Sequence, residues 1–106
     1  MSEEQKRKYQ ITTITQESLR NIWKLLFDIE YPSKPIKAYI LKPKEFALAK
    51  HICGKDDGVM GWMTETSNSY VVIIPKVSKE TLNLILHHEL VHIFEIESLK
   101  NFREVK

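Results

Sequence analysis

Residues 70–95 read Tyr70-Val71-Val72-Ile73-Ile74-Pro75-Lys76-Val77-Ser78-Lys79-Glu80-Thr81-Leu82-Asn83-Leu84-Ile85-Leu86-His87-His88-Glu89-Leu90-Val91-His92-Ile93-Phe94-Glu95. The β-branched run from Val71 to Ile74 predicts a strand, closed by a proline that cannot donate to a ladder. Ser78 offers a hydroxyl to free amides, and Glu80 sits where a helix N-terminus favours negative charge. Leu82, Ile85, Leu86 and Phe94 then recur at helical spacing, which predicts a helix over about 79–98.

Working outward, Ser67-Asn68-Ser69 reads as a turn between this strand and an earlier one over Val59–Thr66. Gly54-Lys55-Asp56-Asp57-Gly58 is also turn chemistry. Lys44–Ile52 fits a short helix or an extended piece, and Ile36–Leu41 is strand-like. Thr15 is a helix N-cap candidate. After it, Leu19, Ile22, Trp23, Leu26 and Phe27 form an apolar stripe on a helix over about 16–30, ended by Pro32 and Pro35. Residues 1–10 lack periodicity and read as a flexible tail. The expectation is one α+β domain over 1–106, with a small three- or four-stranded, mostly antiparallel sheet covered on one side by two helices.

The whole-chain figures agree with one soluble domain. The chain has 106 residues, 42% hydrophobic and 28% charged, with a net charge of +2. Its basic residues are dispersed, which argues against nucleic acid as a partner. No apolar run reaches the roughly 18–20 residues that span a bilayer, so no membrane partner is expected. The single cysteine, Cys53, excludes an internal disulfide framework. With no signal-like start, a cytoplasmic location is expected.

His88-Glu89-Leu90-Val91-His92 is an HExxH pattern on the second helix. Four residues are about 400° of helical rotation, so the two imidazoles share a face one turn apart. Both can converge on one Zn2+ ion at about 2.0–2.1 Å. Glu89 is turned about 100° from His88 and is placed to serve as the base for a zinc-bound water. The competing reading is a pair of histidines on the flank of an amphipathic helix.

With the preceding strand, this motif resembles the core of zincin metallopeptidases. Length and element order are most similar to the minimal soluble gluzincins, and a second likeness is to peptidases that cleave phage repressors. The resemblance implies a zinc metalloendopeptidase. Its backing helix would be about 16–30 and its active-site helix about 79–98. An edge strand preceding that helix would receive a peptide or protein substrate as an added strand. The resemblance also implies latency through a terminal tail or self-association, hence a zymogen-like state or homo-oligomer. A catalytically weak binding or regulatory domain on the same fold is the alternative.

In gluzincins the third metal ligand is a glutamate beyond the active-site helix. Here Glu104 fills that role if the chain turns near Ser98–Asn101, with Glu95 as second choice and Glu97 pointing elsewhere. His87 is about 100° off the metal face and reads as a partner or surface residue. His51 and Cys53 form a His-x-Cys pair that is either further ligands or packing. Tyr39 and Tyr70 are candidate donors to an oxyanion, or strand aromatics.

Overall fold

The structure is a computed structural model that describes the backbone of residues 11–105 and the side chains of 11–101. The proposed 1–10 tail lies outside the described residues. In chain order the elements are β1 (Thr12–Thr13), α1 (Gln16–Phe27), β2 (Ile36–Leu41), α2 (Pro43–Ile52), β3 (Trp62–Glu65), β4 (Tyr70–Pro75) and α3 (Lys79–Val105). The α+β class is as the sequence predicts.

The sheet order is β1-β2-β4-β3. β2 and β4 pair in parallel from Ile36↔Tyr70 to Leu41↔Pro75. β3 and β4 form an antiparallel hairpin, and β1 pairs antiparallel with β2. Two of the three interfaces are thus antiparallel, yet the longest is parallel. β4 is therefore an interior strand, which explains its unbroken apolar run. The edge beside it is β3, shorter than the Val59–Thr66 expectation. The hairpin turn is held by Thr66, whose Oγ1 accepts from Ser69 N at 2.9 Å and Asn68 N at 3.3 Å.

Side-chain alternation sorts the strands onto two faces. Ile36, Ala38, Tyr70, Val72 and Ile74 face α1 and α3 and join Leu19, Trp23, Leu86, Leu90 and Ile93 in the main core. Each fully buried aliphatic there contributes roughly 1.5–3 kcal/mol. Leu41 and Trp62 face the other way, onto Phe46 of α2, with Tyr39 and Ile73 packed beside them. The segment open to either a helix or an extended piece is thus a helix covering the second face, so the sheet is covered on both sides rather than on one as the sequence predicts. Pro43 at its first turn costs no hydrogen bond, because an amide there has no partner.

Two helix ends differ from expectation. α1 stops at Phe27 rather than near 30, because Asp28 takes a left-handed conformation at φ 50°. Aspartate tolerates that region better than most residues. Trp23 Nε1 then donates to Glu30 O at 3.1 Å, folding the chain back over the helix. At the other end α3 runs without interruption through Ser98–Asn101 to Val105. The turn that would return Glu104 toward the motif is absent.

A polar cluster explains why α3 stays on course. Tyr70, fully buried on β4, donates from its hydroxyl to Glu97 Oε2 at 2.5 Å. Lys100 donates to the same hydroxyl at 3.2 Å and pairs with Glu65 of β3. Lys34 holds Glu65 from the other side at 2.7 Å. These contacts tie the far half of α3 to the β3–β4 hairpin.

Candidate metal centre

Ser78 starts α3, its Oγ accepting from Thr81 N at 3.3 Å. Leu86, Leu90 and Ile93 form its buried stripe. Glu89 lies about 40–60° around the helix from Leu86 and Ile93, and His88 lies further out. The carboxylate is therefore drawn to the rim of the core, at 6% exposure, while both histidines are exposed.

His88 Nε2 and His92 Nε2 stand 3.0 Å apart, with ring centroids at 4.6 Å and planes nearly perpendicular. Two nitrogen ligands of one tetrahedral zinc ion are about 3.3 Å apart, from bonds of about 2.0–2.1 Å. The imidazole pair is therefore within a few tenths of an ångström of the required spacing. Ligand atoms of His88, Glu89 and His92 all lie within 4.8 Å of one another. The two imidazoles are nitrogen donors of the kind and at the spacing that a zinc-like ion takes, and the Glu89 carboxylate stands beside them.

Burial raises the Glu89 carboxyl above its ordinary range, while the charges of His88, His92 and Lys55 act in the opposite direction. A buried carboxylate near a metal site has the raised basicity a proton acceptor needs. Nothing in the sequence alone assigns Lys55 to this centre. It is fixed by the cap of α2, where Gly54 at φ 66° allows Gly54 N to bond His51 O at 3.2 Å and Lys55 N to bond Lys50 O at 2.9 Å. Gly54 after a helical stretch signals such a cap. The influence of the Lys55 charge on Glu89 arises only from the tertiary fold. Its ammonium also lies 5.9 Å from the Trp62 ring centroid.

The other candidates are placed as follows. Glu95 Oε2 lies 3.8 Å from His92 Nδ1, the ring nitrogen turned away from His88. The side chain of Glu104 lies outside the described residues. Glu97 is taken up by Tyr70. His87 is half-buried beside the motif. His51 and Cys53 are exposed at the end of α2, and among the described residues neither joins the His88–Glu89–His92 group. Tyr70 is fully buried with its hydroxyl on Glu97, and Tyr39 packs in the core on the face away from α3.

β3 passes beside this centre. A Cβ added to Gly61 would lie 2.7 Å from Ile85 Cγ2, so the lead-in to the edge strand touches α3 one turn before His88 and Glu89. Among the described residues no helix is long and apolar enough to cross a membrane. Comparisons with family models, with curated proteins and with solved structures give no match for this chain.

Proposed function

We propose that this chain is a zinc-dependent metallopeptidase that hydrolyses peptide bonds with Glu89 as the base. The observation that carries the reading is the His88–His92 nitrogen pair at 3.0 Å, with the buried Glu89 carboxylate beside it. The zincin likeness is supported by the order of elements, with a helix behind the sheet, an antiparallel edge strand, and the HExxH helix after the next strand.

Zinc, when bound, supplies a Lewis acid that acidifies water and polarises a carbonyl. His88 and His92 would hold it through their Nε2 atoms. Glu89 takes the proton of the attacking water on a carboxylate oxygen and returns it to the leaving amine. The outer edge of β3 offers backbone groups to an extended peptide, which aligns the scissile bond along α3. A peptide added there pairs through Trp62–Glu65 and passes the motif.

The test is metal content and peptide cleavage together. About one zinc per parent chain is expected, lost in His88→Ala/His92→Ala. Glu89→Gln is expected to keep the zinc and lose cleavage. Full activity in Glu89→Gln would remove the mechanism. A second reading is favoured by one observation: among the described residues no further acidic side chain joins the two histidines and Glu89. On that reading the domain binds metal and peptide with little turnover. Zinc binding without Glu89-dependent cleavage would select it.

A further inference from the structure

The chain has three glycines, and one of them is where it is for lack of space. Gly54 is required by its φ of 66°, and a Cβ on it or on Gly58 would meet nothing within 4 Å. The backbone of Gly61 is outside the left-handed region, so other residues could adopt it. A Cβ there would lie 2.7 Å from Ile85 Cγ2 on α3 and 3.1 Å from Ile73 O on β4. The lead-in to the edge strand is thus pressed against a helix side chain and a neighbouring backbone at once.

We infer that Gly61 is a positioning residue, which sets how closely the substrate-carrying edge strand passes the metal centre. The inference rests on the metallopeptidase reading and adds to it a residue outside the motif. β3 and its lead-in meet α3 at two points, Gly61 against Ile85 and Glu65 with Lys100. Strand and helix therefore run in the same direction, and His88–His92 falls about opposite Trp62–Met63. The contact at Glu65 is made by two long side chains and can adjust. The contact at Gly61 is backbone against a branched side chain and cannot. It lies about 4.5 Å along the axis from His88. The separation of strand and centre is therefore fixed at the glycine, and with it the place of a peptide paired along β3.

In Gly61→Ala the contact with Ile85 must open by about 0.7 Å, from 2.7 Å to an ordinary 3.4 Å. β3 is the edge strand, so its free direction is outward, away from α3. A misplacement of about 1 Å can cost about 100-fold in rate, so this smaller one is expected to cost about ten-fold. The experiment compares zinc-loaded parent, Gly61→Ala, Ile85→Ala and the double variant on a fluorogenic peptide that the parent cleaves, taken from a mixed-sequence library. Gly61→Ala should lose about ten-fold in kcat, with KM within about two-fold and zinc content unchanged. In the Ile85→Ala background, where the Cγ2 is gone, the same substitution should cost less than about three-fold. Parental kcat in Gly61→Ala, an equal loss in both backgrounds, or a loss that merely follows zinc content overturns the inference and leaves the metallopeptidase reading intact.

A second measurement does not depend on turnover. Co2+ replaces zinc, and the pseudocontact shifts of the Trp62–Glu65 amides report where the strand lies relative to the metal. These shifts should change in Gly61→Ala and return toward the Ile85→Ala values in the double variant, while those of Leu90 and Ile93 hold. Unchanged strand shifts in Gly61→Ala overturn the inference even if no peptide is cleaved. A parent that takes up neither Co2+ nor zinc overturns the metallopeptidase reading itself, and the inference with it.

Discussion

The Tyr70 hydroxyl helps tie the far half of α3, the helix carrying the motif, to the sheet, and Tyr70→Phe tests that tie. The substitution removes one oxygen from a fully buried ring and leaves its packing in place. Two bonds are lost, the phenol donating to the Glu97 carboxylate at 2.5 Å and the half-exposed Lys100 ammonium, which keeps Glu65 and gains water, donating to the phenol at 3.2 Å. Hydrogen bonds to charged groups contribute roughly 1.5–3 kcal/mol. Glu97 keeps Lys100 at 3.8 Å and 23% side-chain exposure, so water replaces part of the loss and the lower half of that range applies. The bond also carries a pH dependence: burial, and then the bond to Glu97, push the Tyr70 phenol from its ordinary 10.0 up to about 12. The sign follows from the acid's raised pKa. Its contribution is complete below about pH 10 and is lost as pH rises through about 12, since the unfolded phenol ionises first. Urea unfolding of parent and variant, followed by tryptophan fluorescence, is the assay. At about pH 8 the variant should be less stable by about 1.5–2 kcal/mol. The gap should close between about pH 10 and 12, while zinc content stays that of the parent. A gap under about 0.5 kcal/mol at pH 8, or one that persists at pH 12, would refute the reasoning.

Two further outcomes follow from the centre. Glu89→Gln should raise the melting temperature of the metal-free protein near neutral pH, because burial raises the Glu89 carboxyl and its ionised form destabilises the fold. The gain should shrink as pH falls to the ordinary carboxyl range, and thermal scans at two pH values check it. Lys55→Met removes a charge that favours the Glu89 anion, so the acid limb of kcat/KM should move to higher pH. An unmoved limb would mean that Lys55 does not act on the base.

The sequence made the main strands and the motif legible because each is a local pattern. Ile36–Leu41 and Tyr70–Pro75 have the bounds that their strand-favouring composition predicts. Thr15 and Ser78 both cap helices through their hydroxyls. His88, Glu89 and His92 share one and a half helical turns, so their meeting needs only a helix. What sequence could not supply is non-local. The parallel pairing of β2 with β4 depends on how the chain crosses between them. α2 has a weak stripe, with only Phe46 buried, so its helical state is decided by the face of the sheet it covers. The continuation of α3 past Leu99 depends on Tyr70, Glu65 and Lys34, which lie roughly 30 to 70 positions earlier in the chain. Lys55 and Gly61 come near the centre only because the antiparallel β3–β4 hairpin and the cap of α2 bring the segment before β3 against α3.

The third ligand is where the two levels meet. With α3 continuous, position 104 lies twelve residues beyond His92, about 18 Å along the axis. Glu95 is on the right face, but its carboxylate approaches Nδ1 of His92, whereas the nitrogens that face each other are Nε2. A carboxylate at the far nitrogen orients an imidazole ligand and raises its basicity rather than binding the metal. Removing such a partner costs about 10–100-fold in affinity, and removing a ligand costs the site. Glu95→Gln should therefore weaken zinc binding by about ten-fold, since the contact at 3.8 Å is loose and 62% of the Glu95 side chain is exposed. His88→Ala should abolish binding. Competition against a chromophoric chelator measures both. If Glu95→Gln abolishes zinc as completely as His88→Ala does, Glu95 is a ligand and α3 must bend to present it. If affinity is unchanged, His92 is held by the helix alone, and the centre functions as two imidazoles beside one buried carboxylate.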